Sequence, residues 1–263
     1  MALILGAIVS LFPFYWMLVM STSTTEEIFK YPPKLWFGSK LLVNLRHVFD
    51  SISFWHALLN TLFVAVVTTA LVLFFDSLAA FVFAKYDFPG KKILFVILLA
   101  TFLVPTQLSL VPSFVIMAHL GWVGSFKALI VPSMVNAFGI FWMRQYAEGA
   151  LPNELLEAGR VDGCHFMRLY FNIALPALRP ALAFLGIFTF ITVWNDYLWP
   201  LVILTNHNKQ TLQVALSQLN GIYSTDYSMV MAGTLLAVIP LIVIFLIGAR
   251  QFIADLTAGA VKG

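Results

Sequence analysis

The chain has 263 residues, of which 61% are hydrophobic and 10% charged, with a net charge of +3. Soluble domains carry roughly 25% charged residues, so water cannot be the solvent for most of this surface and lipid must be. The small net charge gives no support to a nucleic-acid partner, and a single cysteine, Cys164, excludes an internal disulfide framework.

In hydrocarbon only helices and closed barrels satisfy their own backbone groups. The apolar runs here are about 20 residues long, not the alternating runs of about 10 that mark a barrel, and the expectation is an all-α integral membrane protein. Six spans are predicted, at 2–20, 57–81, 93–117, 125–146, 181–204 and 228–249. The first is apolar almost from Met1 and has no charged leader, so it reads as a span with a short cytoplasmic leader missing upstream, against the alternative of a cleaved signal.

After the first span comes a polar and aromatic stretch, 21–56, with a Ser/Thr run, Glu26-Glu27 and the turn-like Tyr31-Pro32-Pro33. Residues 41–54 are expected to hold a short interfacial helix. Lys85, Lys91 and Lys92 surround the turn Pro89-Gly90, and 119–124 is a tight turn. Interior prolines Pro105, Pro112, Pro132, Pro200 and Pro240 each remove a backbone hydrogen bond and predict kinks.

Alternate loops divide the 15 Lys and Arg residues unequally. Lys85, Lys91, Lys92, Arg144, Arg160, Arg168, Arg179, Arg250 and Lys262 share one side; Lys30, Lys34, Lys40, Arg46, Lys127 and Lys209 share the other. The positive-inside rule puts the first set in the cytoplasm, with both termini, and makes 1–263 one multi-pass domain of the cell inner (plasma) membrane.

The longest charged connection is 147–179. Within it, Pro152 sits at a helix start, Glu154 and Glu157 fall in the opening turns, and Glu157 can pair with Arg160 three residues on. Gly163 suits a left-handed helix end. Phe166, Leu169, Tyr170 and Ile173 then recur at helical spacing until Leu175-Pro176 stops the run and Pro180 opens the next span. So ordered a two-helix element is more than a tether and suits docking on a partner.

Glu157-Ala158-Gly159, followed after three residues by Gly163 and after nine more by Ile173-Ala174-Leu175-Pro176, resembles the EAA loop of ABC importer permeases, with glycine where alanine is usual at 159. Phe12-Pro13-Phe14-Tyr15-Trp16, Asn60-Thr61, Phe88-Pro89-Gly90-Lys91, the stretch from Val193 to Leu201 and the ending 256–263 are similar to the maltose-type second permease of the carbohydrate-uptake branch. That resemblance implies a cytoplasmic coupling helix made by Glu154, Glu157, Ala158, Gly159, Arg160, Asp162 and Gly163, with Glu157 as anchor in a groove of an ATPase. It also implies a second homologous permease subunit, two ATPase subunits that bind ATP and Mg, and an extracellular solute-binding protein. In this chain itself it implies no catalysis and no cofactor.

Asp76 and Asp196 are carboxylates expected in or near hydrocarbon, where an ionised group costs about 2.5–3.5 kcal/mol by insertion scales. Each is open to two readings, as a pathway group or as an inter-subunit hydrogen-bonding group that holds helices together. A sugar path needs aromatic faces and a few amides or carboxylates; the candidates are Gln107, Asn136, Trp194, Asn195, Asp196, Tyr197 and Gln213. His47, His56, His119, His165 and His207 show no ligand spacing, which predicts no metal site. No Walker-type glycine loop is present, so nucleotide must bind elsewhere. The expected function is a permease subunit importing a di- or oligosaccharide or a related polyol or glycerol-phosphate compound. The alternatives are a proton-coupled secondary transporter and a non-transporting docking subunit.

Overall fold

The computed structural model describes the backbone of residues 2–221 and 225–260 and the side chains of residues 4–221 and 225–247. The side chains of Arg250 and of the ending 256–263, Lys262 among them, lie outside the described residues. In chain order the helices are α1 (Ala2–Ser21), α2 (Thr25–Ile28), α3 (Leu41–Ser51), α4 (Phe54–Lys85), α5 (Lys91–Phe102), α6 (Leu110–His119), α7 (Lys127–Ser133) and α8 (Ala137–Ala150). They continue as α9 (Asn153–Val161), α10 (Phe166–Leu169), α11 (Leu175–Ala177), α12 (Arg179–Trp194), α13 (Leu198–Ile203), α14 (Leu212–Ser217) and α15 (Tyr227–Ala260). The chain is all-α among its described residues.

Three stretches are continuous helix, long and apolar enough to cross a membrane: Ile4–Ser21, Phe54–Lys85 and Tyr227–Ile247. Two more qualify only as bent pairs, Lys91–Phe102 with Thr106–His119 at 92° and Phe166–Ala177 with Arg179–Trp194 at 80°. Ile8, Phe63, Ile97 and Phe245 are each more than half exposed, and faces this apolar need lipid or another chain against them.

Of the prolines predicted to kink their spans, Pro105 sits at a full break, whereas Pro112, Pro132, Pro200 and Pro240 lie inside helices. Pro105 has no N–H and biases Val104 away from helical backbone, so the expected span 93–117 turns sharply there. The expected span 125–146 is interrupted at Met134–Asn136; Pro132 stays inside α7, and the break is set by Asn136, whose extended backbone (φ −142°, ψ 149°) starts α8. The expected span 181–204 is α12 and α13 separated by Asn195, Asp196 and Tyr197.

The chain forms two compact units, Met1–Thr61 with Asn206–Val243, and Leu62–Thr205 with Ile244–Gly263. In the first, α1 stops where Ser21, Thr22 and Ser23 turn their hydroxyls back onto the carbonyls of Leu18 and Val19. Buried Asn44 on α3 donates to the carbonyls of Ser21 (2.8 Å) and Ser23 (2.9 Å), satisfying acceptors that a helix end leaves open. The Ser/Thr run continues into a capping box, with Thr24 and Glu27 exchanging bonds around α2. Asp226 caps α15, accepting from the N–H groups of Ser228 and Met229 and from the Thr25 hydroxyl at 2.7 Å. The Asn60-Thr61 pair holds the segment before α14: Asn60 donates to the carbonyls of Asn208 and Gln210, and Thr61 Oγ1 accepts from Leu212 N–H.

The second unit carries three apolar clusters. One joins Val64 of α4 to Met117, Ala128–Ile130 and Ile203. Another joins Val72 and Ala80 to Met143, Ala147, Ala181 and Leu185. The third, around Phe81, Leu151, Leu156, Leu169, Tyr170 and Ala174, lies beneath the connection 147–179.

Candidate functional site

The connection 147–179 is built from its buried side outward. Leu151 is fully buried and ends α8; Pro152, with φ near −59°, leads into α9. Glu154 in the first turn and Arg160 in the last complement the helix dipole. Leu156 and Gly159, three apart, face inward and are buried. A Cβ at 159 would stand 2.7 Å from Leu169 and 2.8 Å from Ile173, so the small residue there lets α9 press on its own chain.

α9 ends in a motif made of two backbone bonds, Cys164 N–H to Gly159 O (2.9 Å) and Gly163 N–H to Arg160 O (3.0 Å), with Gly163 at φ +78°. This double closure needs a left-handed residue, which glycine supplies without strain. Two sequence expectations are corrected here. Arg160 lies over the Tyr86 ring, 5.4 Å from its centroid, instead of turning to Glu157. Leu175-Pro176 does not stop the second helical run, which continues to Ala177. A π turn at Tyr170–Ala174 precedes the proline; its i to i−5 bonding reorganises the ladder ahead of the residue that cannot donate.

Phe81, Tyr86 and Phe166 form a mutually packed aromatic trio with centroids 5.4–5.7 Å apart. Tyr170 is buried below them; its hydroxyl lies 2.8 Å from Ser77 Oγ and 3.3 Å from the Phe74 carbonyl. What remains outside is a compact face of Glu154, Leu155, Glu157, Ala158 and Val161, with Asp162 and Gly163 exposed at its end. Val161 is 88% exposed and Leu155 50%. Apolar side chains between acids on a rigid, capped helix suit a protein groove better than open solvent.

Asp76 on α4 is fully buried. Its carboxylate accepts from the backbone N–H of Asn136 (3.2 Å) and from the Asn136 amide (3.1 Å), while Asn136 Oδ1 accepts from Gly139 N–H at 2.7 Å. Asp76 ties helices within this one chain and not between subunits: it holds the start of α8, where a carboxylate is favoured by free N–H groups and the helix dipole. The sequence does not name Asn136 as the partner of Asp76 or Tyr170 as the partner of Ser77; a polar Asp76-Ser77 pair inside an apolar helix is the signal that points to such ties.

The other path candidates fall at helix breaks. Gln107 is exposed in the short turn Thr106–Ser109 between α5 and α6. Asn195, Asp196 and Tyr197 form the gap between α12 and α13; Asn195 donates to Ile191 O at 2.9 Å. Trp194, just before the gap, is buried and stacked on Phe190 at 5.4 Å. Asn136 stands at the α7–α8 break with its amide engaged by Asp76. Gln213, half-buried on α14, belongs to the first unit. Among the described residues no group of three or more His, Cys, Asp or Glu side chains could hold a metal ion.

Residues 76–254 match the family described as "Binding-protein-dependent transport system inner membrane component". The arabinooligosaccharides transport system permease protein AraQ of Halalkalibacterium halodurans is 33% identical over 260 residues, covering 98% of this chain and 93% of the relative. The lactose transport system permease protein LacG of Rhizobium radiobacter is 34% identical over 258 residues, covering 98% and 93%. The sn-glycerol-3-phosphate transport system permease protein UgpE of Escherichia coli is 34% identical over 262 residues, covering 97% and 93%. A chain of the crystal structure of a bacterial ABC transporter involved in the import of the acidic polysaccharide alginate shares the fold, with a TM-score of 0.82 and 24% identity over 95% of this chain and 94% of that one.

Proposed function

Because the chain belongs to the binding-protein-dependent transport system inner membrane components, a family of non-catalytic ABC-transporter permeases, we propose that it forms half of the translocation path of an ATP-driven importer for an oligosaccharide or a glycerol-phosphate compound. The named cargoes of its relatives, arabinooligosaccharides, lactose and sn-glycerol-3-phosphate, support that substrate class. On this reading it is a second permease of the maltose type, with six crossings and both termini in the cytoplasm. The crossings are α1, α4, the bent pair α5 and α6, the broken pair α7 and α8, the pair α12 and α13, and α15.

The observation that carries this reading is α9. It is short, closed at its end by Gly163, packed from within through Leu156 and Gly159, and leaves Glu154, Leu155, Glu157, Ala158 and Val161 outward. On this account that face seats in a groove of one of two partner ATPases, which hold ATP and Mg, and Glu157 anchors it. A second homologous permease completes the path, and a solute-binding protein delivers cargo from outside. Gln107, Trp194, Asn195, Asp196 and Tyr197 lie at or beside the helix breaks, where unwound backbone offers polar groups to cargo. Asn136 shapes the path by fixing a break.

Glu157→Lys tests it. The variant is expected to lose ATPase subunits on co-purification and at least tenfold in ATP-driven uptake while remaining in the membrane. Full co-purification and uptake would refute the assignment.

A further inference from the structure

Asp76 and Ser77 are consecutive on α4, and successive residues of a helix point about 100° apart. They therefore reach two different neighbours. Asp76 holds the first residues of α8 through Asn136, and Ser77 meets the Tyr170 hydroxyl in the π turn of the connection 147–179. Ser77 Oγ also donates to the Leu73 carbonyl, and the Tyr170 hydroxyl, paired with Ser77 Oγ, lies within reach of the Phe74 carbonyl, so both hydroxyls are tied to one turn of α4. Asp76, Ser77 and Tyr170 are buried, and both links are set in fixed register by hydrogen-bond geometry, unlike the apolar contacts around them, which can slide. A Cβ at Gly139 would overlap the Asp76 carboxylate, so α8 is also held against α4 by close approach.

We propose that Asp76, Ser77 and Tyr170 are positioning residues that make α4 the relay between the ATPase-coupling segment and the α7–α8 break at Met134–Asn136. This rests on the reading of α9 as the coupling element. A displacement of α9 carries Tyr170, which lies on the same packed segment through Leu169 and Gly159. Tyr170 cannot move along α4 without breaking its bond to Ser77, so α4 moves with it. Asp76 one residue away then draws Asn136, and the break opens or closes. Tyr170 sits in a π turn, a feature frequent at functional sites.

The test uses the assembled importer in nanodiscs, with Cys164→Ala and other cysteines removed, and MgATP as the only probe. A spin label is placed at Val161→Cys on α9 or at Val135→Cys in the break; both side chains are exposed. Both labels are expected to change line shape on MgATP. Tyr170→Phe, which deletes one oxygen and leaves the rings packed, is expected to remove more than half of the response at 135 while the response at 161 and ATP hydrolysis stay within twofold. Asp76→Asn is expected to do the same, and the double variant no more than either alone, because the two links act in series. A response at 135 that persists in Tyr170→Phe, that is absent in the parent, or that falls additively in the double variant overturns the relay. No response at 161 in the parent overturns the coupling reading itself.

Discussion

Gly139 lies against Asp76 so closely that a Cβ at 139 would occupy the space of the carboxylate, which is itself pinned by two bonds from Asn136. Gly139→Ala must therefore displace a buried acid from its donors. Overpacking and unmet hydrogen bonds of this kind cost about 1–3 kcal/mol each. A fall in the unfolding temperature of the purified subunit should report it.

Gly159 looks equally tight but should behave differently. The atoms a Cβ would meet are the ends of Leu169 and Ile173, which can rotate aside. Alanine also gains up to about 1 kcal/mol of helix propensity. Gly159→Ala should leave stability within about 1 kcal/mol and keep uptake, whereas Gly159→Leu should unseat α9 and abolish ATPase co-purification.

Asn44 offers a third test. Its amide serves two carbonyls at the end of α1 from a buried position. Asn44→Ala should cost about 1–3 kcal/mol and expose the 21–24 segment to limited proteolysis. Asn44→Asp should be worse, since a carboxylate would face the same two acceptors.

The pH dependence has a definite sign. For Asp226 burial works against the charge, but donors from Ser228, Thr25 and the Met229 and Ser228 backbone outweigh it and hold the carboxyl below its ordinary 3.8. For Glu27 the Thr24 backbone N–H, then Lys34, lower it from 4.5. A carboxyl depressed in the folded state stabilises above its unfolded value, and that stability is lost as pH falls through the folded value. The first unit should thus lose stability below about pH 4. Asp226→Asn keeps a good helix cap and should flatten that slope in acid titration of thermal unfolding.

Much of this was legible from composition and punctuation. Apolar runs predict α1, α4 and α15, and Gly163 predicts the end of α9, because those features depend on neighbours in the chain. The breaks were less legible. Pro105 and Pro132 carry the same local signal, yet only the first sits at a break; the second break is fixed by Asp76, sixty positions from its partner Asn136. Arg160 likewise has an acid within helical reach and lies instead on Tyr86, whose ring face attracts its cation. Long-range partners of this kind leave no periodicity in a single sequence.

The most direct measurement places a photoreactive amino acid at Leu155, half exposed on α9, in cells making the whole importer. Illumination should join this subunit to the ATPase in high yield, and Glu157→Lys should abolish the product. Capture of lipid or of an extracellular protein at this position, with the ATPase present and untouched, would contradict the account.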